Sequence, residues 1–280
     1  MSKVVAISGA TGQQGGATAR ALAGKGFTIR ALTRNPQADK AKALAAETGA
    51  ELVQAELDDE SSVRKALQGA WGAYAVQNTW TAGVEGEEVQ GHRFAKIARQ
   101  AGVQHYVYAS VASADRQTGI PHFENKWRVE GTIRGLGFPS YSIIRPVFFM
   151  ENLPSPWFLN GDKLVSALDP KTVLQMIAVQ DIGQYGALAF TDPRFKNLEL
   201  DIAGDEMTLP QAAATLAKAL GRPIEYMQIP MSEVRKNSED FALMLEWFER
   251  VGYDADIAAN AKEYGVRPTT LSEWAVRLKS

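Results

Sequence analysis

The sequence predicts an α/β protein: a doubly wound parallel sheet with helices on both faces, followed by a smaller α/β lobe. Three observations carry that prediction. Apolar, β-prone segments alternate with helical ones through the first half of the chain, as in a parallel sheet built from crossover helices. The first of those strands runs directly into a glycine-rich loop, Gly9-Ala10-Thr11-Gly12-Gln13-Gln14-Gly15-Gly16. After Pro146 the alternation breaks into Pro-, aromatic- and Asn-bearing sequence over 148–161, then resumes in a second, shorter series.

Taken in order, residues 4–8 form an apolar strand and the Ala-rich stretch 17–23 the first helix. Strands follow at 28–33, 51–55, 73–77, 106–110 and 141–146, with helices between them at 38–47, 62–67, 88–101 and 123–134. Gly49, Gly69, Gly102 and Gly135 close those helices, since glycine tolerates the left-handed turn at a helix end. The loops after Pro146 leave the carboxyl edge of the sheet, where open α/β sheets bind ligands. Farther on, 198–203 and 224–229 read as strands and Leu209–Leu220 as a helix capped by Thr208 and ended by Gly221. Thr270 with Glu273 fits a capping box opening a terminal helix.

Composition narrows the chemistry. The chain has 280 residues, enough for a large domain with a smaller one appended. Its 30 Lys and Arg nearly balance 32 Asp and Glu, so nothing marks a nucleic-acid or anionic membrane surface. The absence of cysteine excludes disulfides and a thiolate nucleophile, and three widely spaced histidines argue against a metal site. The expected partner is a small molecule. The chain enters a strand within three residues of Met1 and holds no apolar run of bilayer length, so the expected location is cytoplasmic.

Strand, glycine loop and helix in this order make a dinucleotide site of Rossmann type. Gly9 permits the tight turn off the strand and Gly12 the approach of a pyrophosphate, while Gly15 or Gly16 lets the helix pack close. The N-terminus of the following helix presents free N–H groups to phosphate, and Thr11, Gln13 and Gln14 of the loop are candidate cofactor contacts. In NAD-preferring sites a carboxylate ends the second strand; here that strand ends Thr33-Arg34-Asn35-Pro36. Arg34 offers a planar, permanently charged fork to a 2′-phosphate, with Lys40 as a second charge, so the expected cofactor is NADP(H). Asp58 either holds the adenine amino group or caps the next helix. Asn78, at the end of the fourth strand, falls beside the ribose and pyrophosphate. On this reading 1–153 is the NADP(H)-binding domain and 154–280 the smaller substrate or partner lobe, with 178–203 returning to the first.

The chemistry belongs where strand five ends at Ser110 and the next helix opens with His122-Phe123-Glu124-Asn125-Lys126. Residues four apart share a helix face, so His122 and Lys126 point together into the cleft. Here the chain resembles the short-chain dehydrogenase/reductase superfamily, with its Ser on strand five and Tyr-x-x-x-Lys on the following helix; His122 stands where that tyrosine would be. Together with Thr33-Arg34-Asn35-Pro36 and Phe149-x-Glu151-Asn152, the motifs resemble the NmrA-like atypical members, which include NADPH-sensing proteins of animals. The resemblance implies NADP(H) contacts from Arg34, Lys126, Phe149 and Asn152. It also implies one of two activities: reduction of quinones, dyes or unsaturated aromatics, or catalytically silent redox sensing that regulates a protein partner.

His122 could supply the proton that the absent tyrosine supplies elsewhere, although the Lys126 charge opposes protonation of the ring; equally, it could be a helix-start residue bonded to backbone or cofactor. Trp80, Phe123, Trp127, Phe148, Phe149, Trp157, Phe158, Trp247 and Phe248 read either as a flat pocket for a planar or aromatic acceptor or as packing between lobes. Glu124 and Glu151 are candidates to hold a polar substrate group. An epimerase reading is disfavoured by the missing tyrosine.

Overall fold

The computed structural model describes residues 2–279. The chain begins β1 (Lys3–Ile7), α1 (Gln13–Leu22), β2 (Phe27–Thr33), α2 (Asp39–Thr48), β3 (Glu51–Gln54), α3 (Glu60–Leu67) and β4 (Gly72–Ala75). It continues through α4 (Thr79–Gln100), β5 (His105–Ala109), α5 (Pro121–Gly135), β6 (Ser140–Pro146), β7 (Phe148–Phe149), β8 (Leu159–Asn160), β9 (Lys163–Ser166) and β10 (Val173–Ile177). Then come α6 (Val179–Thr191), β11 (Leu198–Ile202), β12 (Asp205–Thr208), α7 (Leu209–Leu220) and β13 (Glu225–Gln228). The last elements are α8 (Met231–Asn237), α9 (Glu239–Arg250), α10 (Ile257–Tyr264) and α11 (Leu271–Val276).

Seven strands form one sheet in the order β11-β6-β5-β4-β1-β2-β3, and every neighbouring pair is parallel. The chain builds outward from β1 to β3, then crosses back to β4, so strand order reverses between β1 and β4. Such a reversal leaves a crevice at the carboxyl ends of the two strands. The Ser8 hydroxyl pins that point, accepting from Val76 N at 2.8 Å and donating to Val76 O at 3.0 Å.

Both faces of the sheet are covered, which is why its strands are nearly continuously apolar. Leu22 of α1 and Ile182, Tyr185 and Phe190 of α6 belong to the core on one face; Val63, Leu67, Phe94, Ile97, Val129 and Ile133 of α3, α4 and α5 belong to the core on the other. The smaller lobe holds two three-stranded sheets, β12-β10-β7 and β13-β9-β8. They share an apolar core with α7, α9 and α11, in which Phe158, Leu216, Trp247, Phe248 and Trp274 are buried. No helix among the described residues is long and apolar enough to cross a membrane.

The strands expected from the sequence appear within two residues of their expected ends. Four helices start earlier than expected, α3 and α5 by two residues and α1 and α4 by more. The glycine loop itself supplies the first turn of α1, and α4 begins at Thr79 and continues across a break at Gly83, where φ is +76°. The strands of two to five residues in β7 to β10 and β12, and helices α6, α8, α9 and α10, were not apparent from pattern. Helix α6 carries Gly183 and Gly186 inside it, residues that read against a helix. Their reason is tertiary: a Cβ on Gly183 would lie 2.6 Å from the backbone of Ala17 in α1.

Candidate functional site

A cleft of about 640 Å³ opens at the reversal point. Gly9, Thr11, Gly12, Gln13, Gln14, Gly15, Arg34, Asn78, His122, Lys126, Phe149 and Asn152 all stand on its wall. At one end the glycine loop turns out of β1 through Gly9, whose φ is +57°. Of the two glycines left open for close packing, Gly15 has the tighter demand: a Cβ there would lie 2.5 Å from the carbonyl oxygen of Gly9, against 3.0 Å from Ala10 O for Gly16. Gly12 is the N-cap of α1, so the N–H groups of Gln13, Gln14 and Gly15 are first-turn donors without helical acceptors at the cleft wall.

Arg34 is exposed at the end of β2 and lines the cleft. No hydrogen bond or ion pair engages its guanidinium among the described residues. Lys40 is also exposed but is not on the wall. The capping alternative for Asp58 does not hold, because Asp59 caps α3 by accepting from Ser61 N at 2.9 Å. Asp58 instead accepts from Gln90 Nε2 at 3.1 Å. Asn78 uses its Oδ1 to cap α4, taking Trp80 N at 2.9 Å.

Both polar atoms of the Gln77 side chain, and Oε1 of Gln14, are buried at this wall with no protein partner. Buried polar groups are normally satisfied, so these orphaned atoms, a free guanidinium and a helix N-terminus fit a phosphate-bearing dinucleotide.

The other end holds two contacts between a basic side chain and a carboxylate that join distant parts of the chain. Lys126 Nζ sits 2.6 Å from Glu87 Oε1. Glu87 is buried and also accepts from Asn125 Nδ2 at 3.0 Å and from the Thr79 hydroxyl. Burial is the largest influence on its carboxyl and pushes it up, but Lys126, Thr79 and Asn125 together outweigh it and hold the group below its ordinary range. His122 contacts a different carboxylate: its ring Nδ1 lies against Asp240 Oδ2, and its backbone N–H donates to Asp240 Oδ1 at 3.0 Å.

The expectation that Lys126 sets the charge of His122 is thereby corrected. The ammonium is matched by Glu87, and the imidazole faces a carboxylate of its own. Ser110 donates to Glu130 at 2.6 Å, and Glu130 is gripped by Arg145 at 2.9 and 2.6 Å. The hydroxyl at the end of strand five is therefore bound into a buried ion network.

The aromatic wall is smaller than the sequence suggested and partly different. Trp80, Phe123, Phe148 and Phe149 line the cleft, joined by Phe241, Met244 and Tyr253 from the smaller lobe. Phe158, Trp247 and Phe248 are core residues of that lobe. Trp157 is 79% exposed, and Trp127 lies under Arg134, whose guanidinium is 4.3 Å from its ring centroid. Glu124 and Glu151 are spent on structure. Glu124 accepts from Gly119 N at 3.0 Å and Thr118 Oγ1 at 3.1 Å; Glu151 accepts from Val179 N at 3.1 Å and Trp274 Nε1 at 2.8 Å. Sequence reasoning missed Glu87, Asp240, Phe241 and Tyr253, none of which sits in a local motif.

Comparison with known proteins places this architecture among relatives. A Dictyostelium discoideum protein with an NmrA-like family domain is 27% identical, over 94% of this chain and 95% of its own length. The NmrA-like family domain-containing oxidoreductase himF of Aspergillus japonicus is 34% identical over 55% of this chain and 49% of its own, so the chain spans about half of that relative. The nitrogen metabolite repression protein nmrA of Emericella nidulans is 27% identical, covering 84% of this chain and 70% of its own. Among solved structures, the NADPH-dependent quinone oxidoreductase QOR2 of Escherichia coli, complexed with NADPH, matches with a TM-score of 0.82 at 25% identity, over 99% of this chain and all of that one (100%). The family model for the NmrA-like family matches residues 1–275, and the chain belongs to the NmrA-like family.

Proposed function

We propose that this protein binds NADP(H) in the cleft and reduces a planar conjugated acceptor such as a quinone or an aryl or unsaturated carbonyl. The observation that carries this reading is the continuity of one cleft, from the unengaged Arg34 and the α1 N-terminus to the wall of Trp80, Phe149, Phe241 and Tyr253. Arg34 would hold the 2′-phosphate, and the first N–H groups of α1 the pyrophosphate. Bound NADPH would supply the hydride. Lys126, held by Glu87, would orient the nicotinamide ribose by hydrogen bonding while adding little net charge. Phe149 and Asn152 would border the nicotinamide, and the aromatic wall would hold a flat acceptor by stacking while excluding water. The likeness to QOR2 supports this choice of acceptor.

The likeness to the nmrA repression protein, and the 69% exposure of Trp80 at the cleft rim, support a second reading in which nucleotide occupancy is sensed by a protein partner.

One experiment separates the two: loss of NADPH absorbance with a panel of quinones, aryl aldehydes and enones. The control is Lys126→Met combined with Glu87→Gln, because removing either charge alone strands the other in a buried site and costs about 3–5 kcal/mol of stability. Turnover in the wild type, with a double variant that binds NADPH at least about tenfold more weakly, fits loss of charge-assisted hydrogen bonds and supports the reductase. NADPH binding without turnover of any acceptor favours the sensor.

A further inference from the structure

We propose that Asp240 is the positioning residue for a proton donor, His122, a role that rests on the reductase reading above. His122 is the second residue of α5, so its backbone N–H is a first-turn donor with no helical acceptor. Asp240, in the first turn of α9, reaches across from the smaller lobe and accepts that N–H at 3.0 Å through Oδ1. Its other oxygen, Oδ2, meets ring Nδ1. The backbone hydrogen bond and the ring contact bring one residue onto one carboxylate, and because ring Nδ1 and Oδ2 are both buried with no hydrogen bond to any other described group, each is left to the other. The side chains of His122 and Asp240 are only 10% and 17% exposed, so water competes weakly for the contact.

With Nδ1 turned onto the carboxylate, Nε2 is the ring nitrogen left for the cleft that His122 lines, and no protein group bonds it among the described residues. Lys126, its ammonium held by Glu87 at 2.6 Å, is taken up with the ribose on the reading above. Two aromatic rings pack near the imidazole, Trp80 at 5.9 Å and Phe123 at 4.8 Å between centroids. A carboxylate on one imidazole nitrogen fixes the ring's orientation and stabilises its protonated form while the other nitrogen transfers the proton.

The balance is complete for a quinone or conjugated carbonyl. The acceptor takes two electrons and one proton as hydride from NADPH, which becomes NADP⁺, and its oxygen takes a second proton from Nε2. His122 is left neutral and recovers a proton from solvent. The dyad thus does what the family tyrosine does elsewhere, with an orienting carboxylate where that tyrosine has a lysine.

Asp240→Asn tests the role, since the amide oxygen still caps α5 while the carboxylate facing Nδ1 is gone. The first readout is long-range ¹H–¹⁵N correlation of the histidine rings in the protein without cofactor; there are only three histidines, and His122→Gln assigns the signal. We expect a hydrogen-bonded Nδ1 proton in the wild type that Asp240→Asn loses. The second readout is turnover with the best quinone or enone. General acid catalysis contributes about 100-fold or more, and the expected fall in kcat for Asp240→Asn is about 10- to 100-fold, with NADPH Kd and acceptor KM within about twofold. The double variant with His122→Gln should be no slower than His122→Gln alone.

A wild-type Nδ1 without a hydrogen-bonded proton overturns the arrangement, whatever the variants do. A kcat for Asp240→Asn within about twofold of wild type, or additive losses in the double variant, overturns the positioning role and leaves the reductase reading standing. Absence of turnover by the wild type overturns both.

Discussion

Arg34 and Lys126 are the two cations of the cleft, and they differ in their partners. Lys126 is buried against Glu87, which limits it to positioning by hydrogen bonding, whereas Arg34 is exposed and has no partner among the described residues. A free guanidinium loses little on engaging a phosphate and gains a charge-assisted, bidentate contact. Arg34→Ala should therefore raise the Kd for NADPH about 10- to 100-fold, the range expected for about 1.5–3 kcal/mol from hydrogen bonds to a charged group. The Kd for NADH should change by less than about twofold. Titration by nicotinamide fluorescence reads both, and equal losses would refute the 2′-phosphate assignment. Arg34 was legible in the sequence because its place depends on one strand end near one glycine loop. Glu87 was not, because its pairing with Lys126 bridges 39 residues and two helices.

At the scale of elements, the cofactor end depends on how closely α1 can be held. Gly15 brings its start against the β1 turn, and Gly183 of α6 lets a second helix lie on the backbone of Ala17. A methyl group at Gly183 has no room without moving one helix. Gly183→Ala should cost about 1–3 kcal/mol by overpacking, although alanine is the better helix former. The urea midpoint reports it, and an unchanged midpoint would show that the crossing relaxes freely. The sequence showed α1 through its glycine loop and α7 through its Thr208 N-cap, which the structure contains as half of a capping box with Gln211. It hid α6, because glycines in a helix make sense only beside the helix they touch.

At the scale of the whole molecule, a buried network ties the sheet to its covering helices. Arg145 on β6 bonds Glu130 of α5 and Glu199 of β11, and its Nη1 lies 3.6 Å from Asp201. Burial is the main cause that lifts the Asp201 carboxyl to about 6 from its ordinary 3.8; the Ser113 N–H and Arg145 lower it, and Asp115 adds to the rise. A group with a raised folded pKa binds its proton more tightly when folded. Its contribution to stability is therefore fully present below its ordinary 3.8, is lost as pH rises from there to about 6, and stays lower above that.

Glu87 has the opposite sign: its contribution is present above the ordinary value of 4.5 and is lost as pH falls through its lowered folded value. Between pH 4 and pH 6, Asp201→Asn should remove a downward component in stability of up to roughly 3 kcal/mol. Urea unfolding at a series of pH values checks this, and parallel profiles for variant and wild type would refute it.

By itself the sequence determined the parallel wound sheet, its glycine loop and the cofactor end of the cleft, because each is written in local signals: alternation, glycines at a strand end, an arginine where a carboxylate would otherwise stand. Only the tertiary structure decided the reacting end. The carboxylate against His122 lies 118 residues away on another lobe, and the one against Lys126 on a neighbouring helix. Side chains that meet through packing leave no periodic mark in the chain. In a buried site the partner a charge acquires, more than its residue type, sets what it can do.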